Sequence, residues 1–90
     1  MKAVWKYPLA VQSEQRIEMP EGALPLAVQI QGELPCLWAV VNRDAPLATL
    51  VLWTAGTGYP LPDEPGAYLG TYQLQGGALV FHVFTRWETL

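Results

Sequence analysis

Apolar and polar side chains alternate in short runs along this chain, and a period of two is the signature of half-buried β-strands. Over residues 2–9, Ala3, Trp5, Tyr7 and Leu9 share one phase while Lys2, Val4 and Lys6 share the other, with Pro8 marking a strand end or a sheet edge. Residues 14–19 set Ile17 and Met19 against Arg16 and Glu18 and stop at Pro20 in a Pro-Glu-Gly turn. Residues 24–31 alternate most cleanly, which predicts Leu24, Leu26, Val28 and Ile30 inward and Ala27, Gln29 and Gln31 outward. The short link from Gly32 to Leu34 predicts a hairpin into a fourth strand over 36–41. Further strands are predicted around 50–53, over 67–74, and, after a tight turn at Gly76 and Gly77, over 78–86.

Three of these strands are apolar in both phases. Cys36, Trp38 and Val40 lie opposite Leu37, Ala39 and Val41, and residues 50–53 and 79–84 behave alike. A strand apolar on both faces must be covered twice, by the other layer of its own sandwich or barrel and by a loop or partner subunit. The expectation is an all-β domain over residues 1–90, a compact antiparallel sandwich or barrel of about seven short strands that forms a homo-oligomer. The longest irregular stretch, Gly56 to Gly66, is stiffened by Pro60, Pro62 and Pro65. Function concentrates in such loops on small rigid scaffolds.

Composition sharpens that picture. Ninety residues with 51% hydrophobic and only 14% charged positions carry a heavy apolar load for one small domain. The net charge of −3, with Lys2, Lys6, Arg16, Arg43 and Arg86 as the whole cationic set, removes the basic footprint of broad nucleic-acid binding. Two or three of those cations converging on one phosphorylated ligand remain an option. The single cysteine, Cys36, excludes an intrachain disulfide and leaves no zinc-type cluster, so no metal and no cofactor is expected. No apolar stretch has the length of a signal peptide or a membrane span, which points to the cytoplasm and away from a membrane partner.

Catalytic machinery is not readable in the chain. Cys36 and His82 are the only members a nucleophile and base pair could draw on, and they could meet only across strands. Asp63 and Glu64 sit side by side in a proline-rich loop, as solvated charge rather than an opposed acid and base. Binding has more candidates. The loop Thr54-Ala55-Gly56-Thr57-Gly58-Tyr59 can aim backbone N–H groups at an anion, although its spacing matches neither a P-loop nor a dinucleotide fold. Trp5 and Tyr72, on mixed strands, and His82 could contact a base or ribose, while Trp38 and Trp53 read as core. Arg16, Arg43 and Arg86 would add charge.

Several blocks together carry a resemblance. They are Trp5-Lys6-Tyr7, Met19-Pro20-Glu21-Gly22-Ala23, Pro35-Cys36-Leu37-Trp38-Ala39, Gly56-Thr57-Gly58, Gly70-Thr71 and the run from Gly76 to Phe84. Over nearly its whole length the chain resembles a family of small phage and prophage proteins catalogued as a domain of unknown function. Such proteins lead one to expect a His directly after Gly-Thr-Gly, where this chain has Tyr59. The resemblance implies a phage accessory protein acting in the bacterial cytoplasm. The expected role is non-enzymatic: sequestering a nucleotide-like signal, so as to counteract host defence, in a pocket between subunits or beside the Gly56 to Gly66 loop, with Gly56, Thr57, Gly58 and Tyr59 at phosphate, Arg16, Arg43 or Arg86 adding charge, and Trp5, Tyr72 or His82 at base or ribose. The alternatives are an inhibitor that binds a host protein and a minor virion or assembly component.

Overall fold

The computed structural model describes residues 1–89. Their seven strands are β1 (Lys2–Pro8), β2 (Glu14–Pro20), β3 (Leu24–Gln31), β4 (Leu34–Asn42), β5 (Leu47–Gly56), β6 (Ala67–Leu74) and β7 (Leu79–Trp87). A single 3₁₀ turn, Gln75–Gly77, joins the last two. The strands form two antiparallel sheets, ordered β1-β4-β3 and β2-β5-β7-β6, so the sandwich is realised and not the barrel. An extent of 16 Å across the thin direction matches two layers spaced about 10 Å apart.

Inward-facing positions of both sheets meet in one core built around Met19, Val28, Leu37, Ala39, Val41, Leu50, Leu52, Tyr72 and Val83. On one side the two layers come together tightly. A Cβ on Gly70 of β6 would stand 2.9 Å from Cγ1 of Val28 on β3, so glycine is what permits the approach. On the other side β1 and β2 end their sheets as unpaired edges.

The strands apolar on both faces find different covers. For β5 the cover is a loop. Residues 57–66 fold back across its outer face, with Pro62 and Pro65 beside Val51 and Trp53, and Tyr59 and Pro60 beside Trp53 and Ala55. Val51 is thereby only 2% exposed. On β4, Cys36 is buried, Trp38 and Val40 are half-buried, and their neighbours Val4 and Leu24 stand open at 57% and 60%.

One sequence expectation within β3 needs correction. Leu24 and Leu26 do not join Val28 and Ile30 inside, because the β3–β4 register shifts between Pro25 and Ala27 and the bulge turns both leucines outward. Cys36 and His82, the one pair that nucleophilic catalysis could have drawn on, lie in different sheets, each in the phase opposite to the core residues of its strand.

Tyr72, expected to look into a pocket, is 3% exposed in the core with its ring 5.4 Å from Phe81. Its hydroxyl and that of Tyr7 are buried without a partner among the described residues, and burial holds both phenols above their usual pKa of 10.0. An unpartnered hydroxyl contributes nothing a phenyl ring would not, so Tyr72→Phe should leave stability unchanged or raise it by up to about 1 kcal/mol. The unfolded chain ionises near pH 10 before the folded one does. The wild type should therefore hold full stability below that pH and lose it as the pH rises further, and Tyr72→Phe should lose less. Urea titrations at a series of alkaline pH values measure both effects.

Candidate functional site

Strand β5 runs out at Gly56, and the chain turns at once. The Tyr59 N–H donates to the Gly56 carbonyl over 3.0 Å, closing a four-residue turn, and Gly58 at its third position has φ +86°, the conformation a type II turn requires there. The Tyr59 ring lies directly on Gly56, where a Cβ would come within 2.9 Å of the ring. The Thr57 N–H donates to the Val80 carbonyl over 3.1 Å, which ties the turn to the start of β7. Two of the three turn amides are thus used internally. Among the described residues the Gly58 N–H makes no such bond.

His82 stands next to this turn on the outer face of β7, directly opposite Thr71 of β6. Thr57 Oγ1 is 2.7 Å from His82 Nε2, Thr71 Oγ1 is 3.0 Å from His82 Nδ1, and Tyr68 OH is 2.6 Å from Thr71 Oγ1. The Tyr68 ring is itself braced edge-on against Phe84, with centroids 5.7 Å apart. The four groups form one chain of hydrogen bonds that can run in either direction. In one, Tyr68 donates to Thr71, Thr71 to Nδ1, and Nε2–H to Thr57, which leaves the Thr57 hydrogen free for a ligand. In the other, Thr57 donates to Nε2 and every subsequent donor reverses. A change of histidine tautomer switches between them.

Two clefts open on either side of Tyr59. One, of about 460 Å³, is walled by Val11, Trp53, Ala55, Tyr59, Pro60 and Phe81, with Gln12, Ser13 and Thr54 among its polar members. The other, of about 430 Å³, lies between the Thr57 turn and Leu79, Val80 and Phe81. Gly56, Tyr59 and Phe81 belong to both, so the Tyr59 ring divides them. Trp53 and Thr54 both border the first cleft; the Trp53 indole N–H, on the outer face of β5, and the Thr54 hydroxyl, in its core-facing phase opposite Val83, are buried and lack a hydrogen-bond partner among the described residues.

Of the residues expected to bind, the fold brings Gly56, Thr57, Gly58, Tyr59 and His82 together. The rest lie elsewhere. Trp5 is in the other sheet, 38% exposed, and Tyr72 is in the core. Arg43 follows β4 at the end of β5 remote from Gly56, about 30 Å away by strand rise. Arg16 is held by Glu14 and Glu88 at 2.9 Å each, hydrogen bonds that raise its guanidinium pKa, first through Glu88 and then through Glu14. Arg86 borders a cleft with Asp63 and Glu64.

Sequence reading missed Tyr68, Thr71 and Trp53 as site residues. Thr71 and Tyr68 acquire meaning only from the β6–β7 register, and Trp53 only from the lack of a partner for its indole N–H. Among the described residues no three His, Cys, Asp or Glu side chains gather as a metal site would require, and no helix is long and apolar enough to cross a membrane.

A family model described as a domain of unknown function, DUF7352, matches residues 1–89. No curated protein and no solved structure matches the chain.

Proposed function

We propose that this chain, which belongs to the DUF7352 family of unknown function, is a binding protein that retains a small ring-bearing ligand without turning it over. One observation carries the reading: Trp53, a wall of the cleft beside Tyr59, has an indole N–H that is buried and unpartnered among the described residues. A desolvated donor left unpaired costs roughly 1–3 kcal/mol, and a ligand that supplies its partner recovers that loss. Tyr59 and Phe81 offer ring faces, and Thr57 adds a hydroxyl beside the second cleft. No cation lines either cleft. Recognition therefore rests on the ring and its hydroxyl or amide groups, with any phosphate left toward solvent. A nucleoside or nucleotide-like signal has this chemistry, and its sequestration in a bacterial cytoplasm is the task such a site would serve in a phage accessory protein.

Thermal melting with a panel of nucleosides, cyclic nucleotides and ADP-ribose derivatives tests the reading. At least one should raise Tm by several degrees at saturation and return with unchanged mass. Trp53→Phe removes the unpartnered indole N–H while keeping a ring at that wall, and should abolish the ligand-induced shift. Flat melting curves across the panel for the wild type would remove the proposal.

A second reading draws on the outer face of the three-stranded sheet, where Val4, Leu24 and Leu26 stand exposed. There an apolar patch would dock onto a host protein. Recovery of one stoichiometric partner from host lysate, lost on Leu24→Glu, selects that reading.

A further inference from the structure

The sandwich is closed on one side, where β3 and β6 meet at Val28 and Gly70, and open on the other, where β1 and β2 are free edges of their sheets. A free edge offers a row of unpaired N–H and C=O groups. The hydrogen bonds beyond the strand ends show which residues offer them. Arg43 N–H donates to the Met1 carbonyl and Leu9 N–H to the Pro35 carbonyl, both in the β1–β4 register. In an antiparallel ladder alternate residues bond the same neighbour, so the odd-numbered residues of β1 face β4 and Lys2, Val4 and Lys6 face outward. Thr54 N–H donates to the Ser13 carbonyl in the β2–β5 register, so Glu14, Arg16 and Glu18 face outward from β2 by the same rule.

We infer that these two edges pair with each other in a second copy of the chain. Antiparallel pairing of β1 with β2 of the partner subunit sets Lys2 against Glu18 and Lys6 against Glu14, with Val4 opposite Arg16. Every pair joins residues whose backbone groups already point outward, and the core-facing phase, Ala3 and Trp5, meets the core-facing phase of Ile17 and Gln15. The register is self-selecting. A slip of two residues in either direction sets a lysine against Arg16, and a slip of one reverses the faces.

The arrangement closes on itself. The connection over residues 9–13 reverses the chain, so β1 and β2 run oppositely along the same open side. A two-fold axis parallel to the strands then matches β1 with the partner's β2 and β2 with the partner's β1 at once. Each three-stranded sheet continues into the partner's four-stranded one, no free edge remains on that side, and the exposed Trp5 is covered. Lys2 and Glu18 make no ion pair within the chain among the described residues. The dimer does not depend on the ligand reading.

Sedimentation of the purified full chain should show a concentration-dependent dimer. Zero-length carbodiimide crosslinking of mixed light and heavy isotope-labelled protein should join Lys2 to Glu18 and Lys6 to Glu14 in mixed-label peptides. Val4→Pro removes an outward N–H without breaking the β1–β4 ladder, and should give a folded monomer. Lys2→Glu should weaken the dimer about tenfold, and adding Glu18→Lys should restore it. The charge pair keeps the inference open to refutation even where the proline variant fails to fold. A wild type that stays monomeric, mixed-label crosslinks elsewhere only, or a dimer indifferent to both Val4→Pro and Lys2→Glu would overturn it.

Discussion

Gly66→Ala should lower the free energy of unfolding by about 3 kcal/mol, far more than an exposed loop substitution ordinarily does. Gly66 is the last residue before β6, and its φ of +105° lies in a region that side chains rarely adopt. Space is lacking as well: a Cβ there would collide with the Thr85 carbonyl oxygen and press on Cβ of Arg86 at 3.1 Å. Both obstacles belong to β7, whose Thr85 pairs with Ala67, so relief requires the β6–β7 ladder or the loop to move. Gly58→Ala is the control. Gly58 shares the positive φ, +86°, but nothing lies within 4 Å of its missing Cβ, so that variant should cost only about 1 kcal/mol. Urea titrations of the two variants measure the difference. Equal costs would show that the loop returns to the sheet loosely, and with it the cover over Val51 and Trp53 would be in question.

The strand pattern was legible because period-two alternation survives wherever one face of a strand is buried. β3 and β6 fall on residues 24–31 and 67–74 as the alternation predicts, and the others differ mainly at their ends. What failed was phase within β3. A bulge adds a residue to the count without altering the character of the side chains, so Leu24 and Leu26 still read as inward while the backbone carries them out. The cover over β5 was half legible. Apolarity in both phases demanded a second layer, but nothing in the spacing could say whether a loop or a partner supplied it, and three prolines in residues 57–66 turn out to do so.

The candidate site divides along the same line. Glycines around a hydroxyl mark a turn from sequence alone, and a lone histidine among apolar residues invites a role, so the Thr57 turn and His82 were both singled out. Their hydrogen bond is a consequence of β7 lying beside the end of β5, with Ala55 opposite His82 and Gly56 opposite Phe81. Arginines failed as a set because their charge has no periodicity to place it. Arg16 and Arg86 both flank Val51 in the register, yet one is taken by carboxylates and the other borders Asp63 and Glu64.

His82→Ala should cost about 2 kcal/mol of stability and loosen the Thr57 turn. The imidazole bonds Thr57 on one nitrogen and Thr71 on the other, at about 1 kcal/mol each, and its loss also strands the far end of the Tyr68–Thr71 pair. Thr57→Val alone should cost about 1 kcal/mol, because it breaks one of those two bonds and leaves the other. If the two groups act through each other, adding Thr57→Val to His82→Ala should cost almost nothing more, giving a coupling of about 1 kcal/mol in a double-mutant cycle. The Tyr59 amide reports the local effect. Its bond to Gly56 closes the turn, so its hydrogen exchange should quicken about tenfold in His82→Ala, while the amides of β3, in the other sheet, should change only in step with global stability. Additive costs and an unaltered Tyr59 amide would mean that the turn holds its shape through Gly58 and the Val80 carbonyl alone, and that His82 merely rests against it. The coupled outcome would place control of the Tyr59 ring, which both clefts share, with a histidine that lines neither of them.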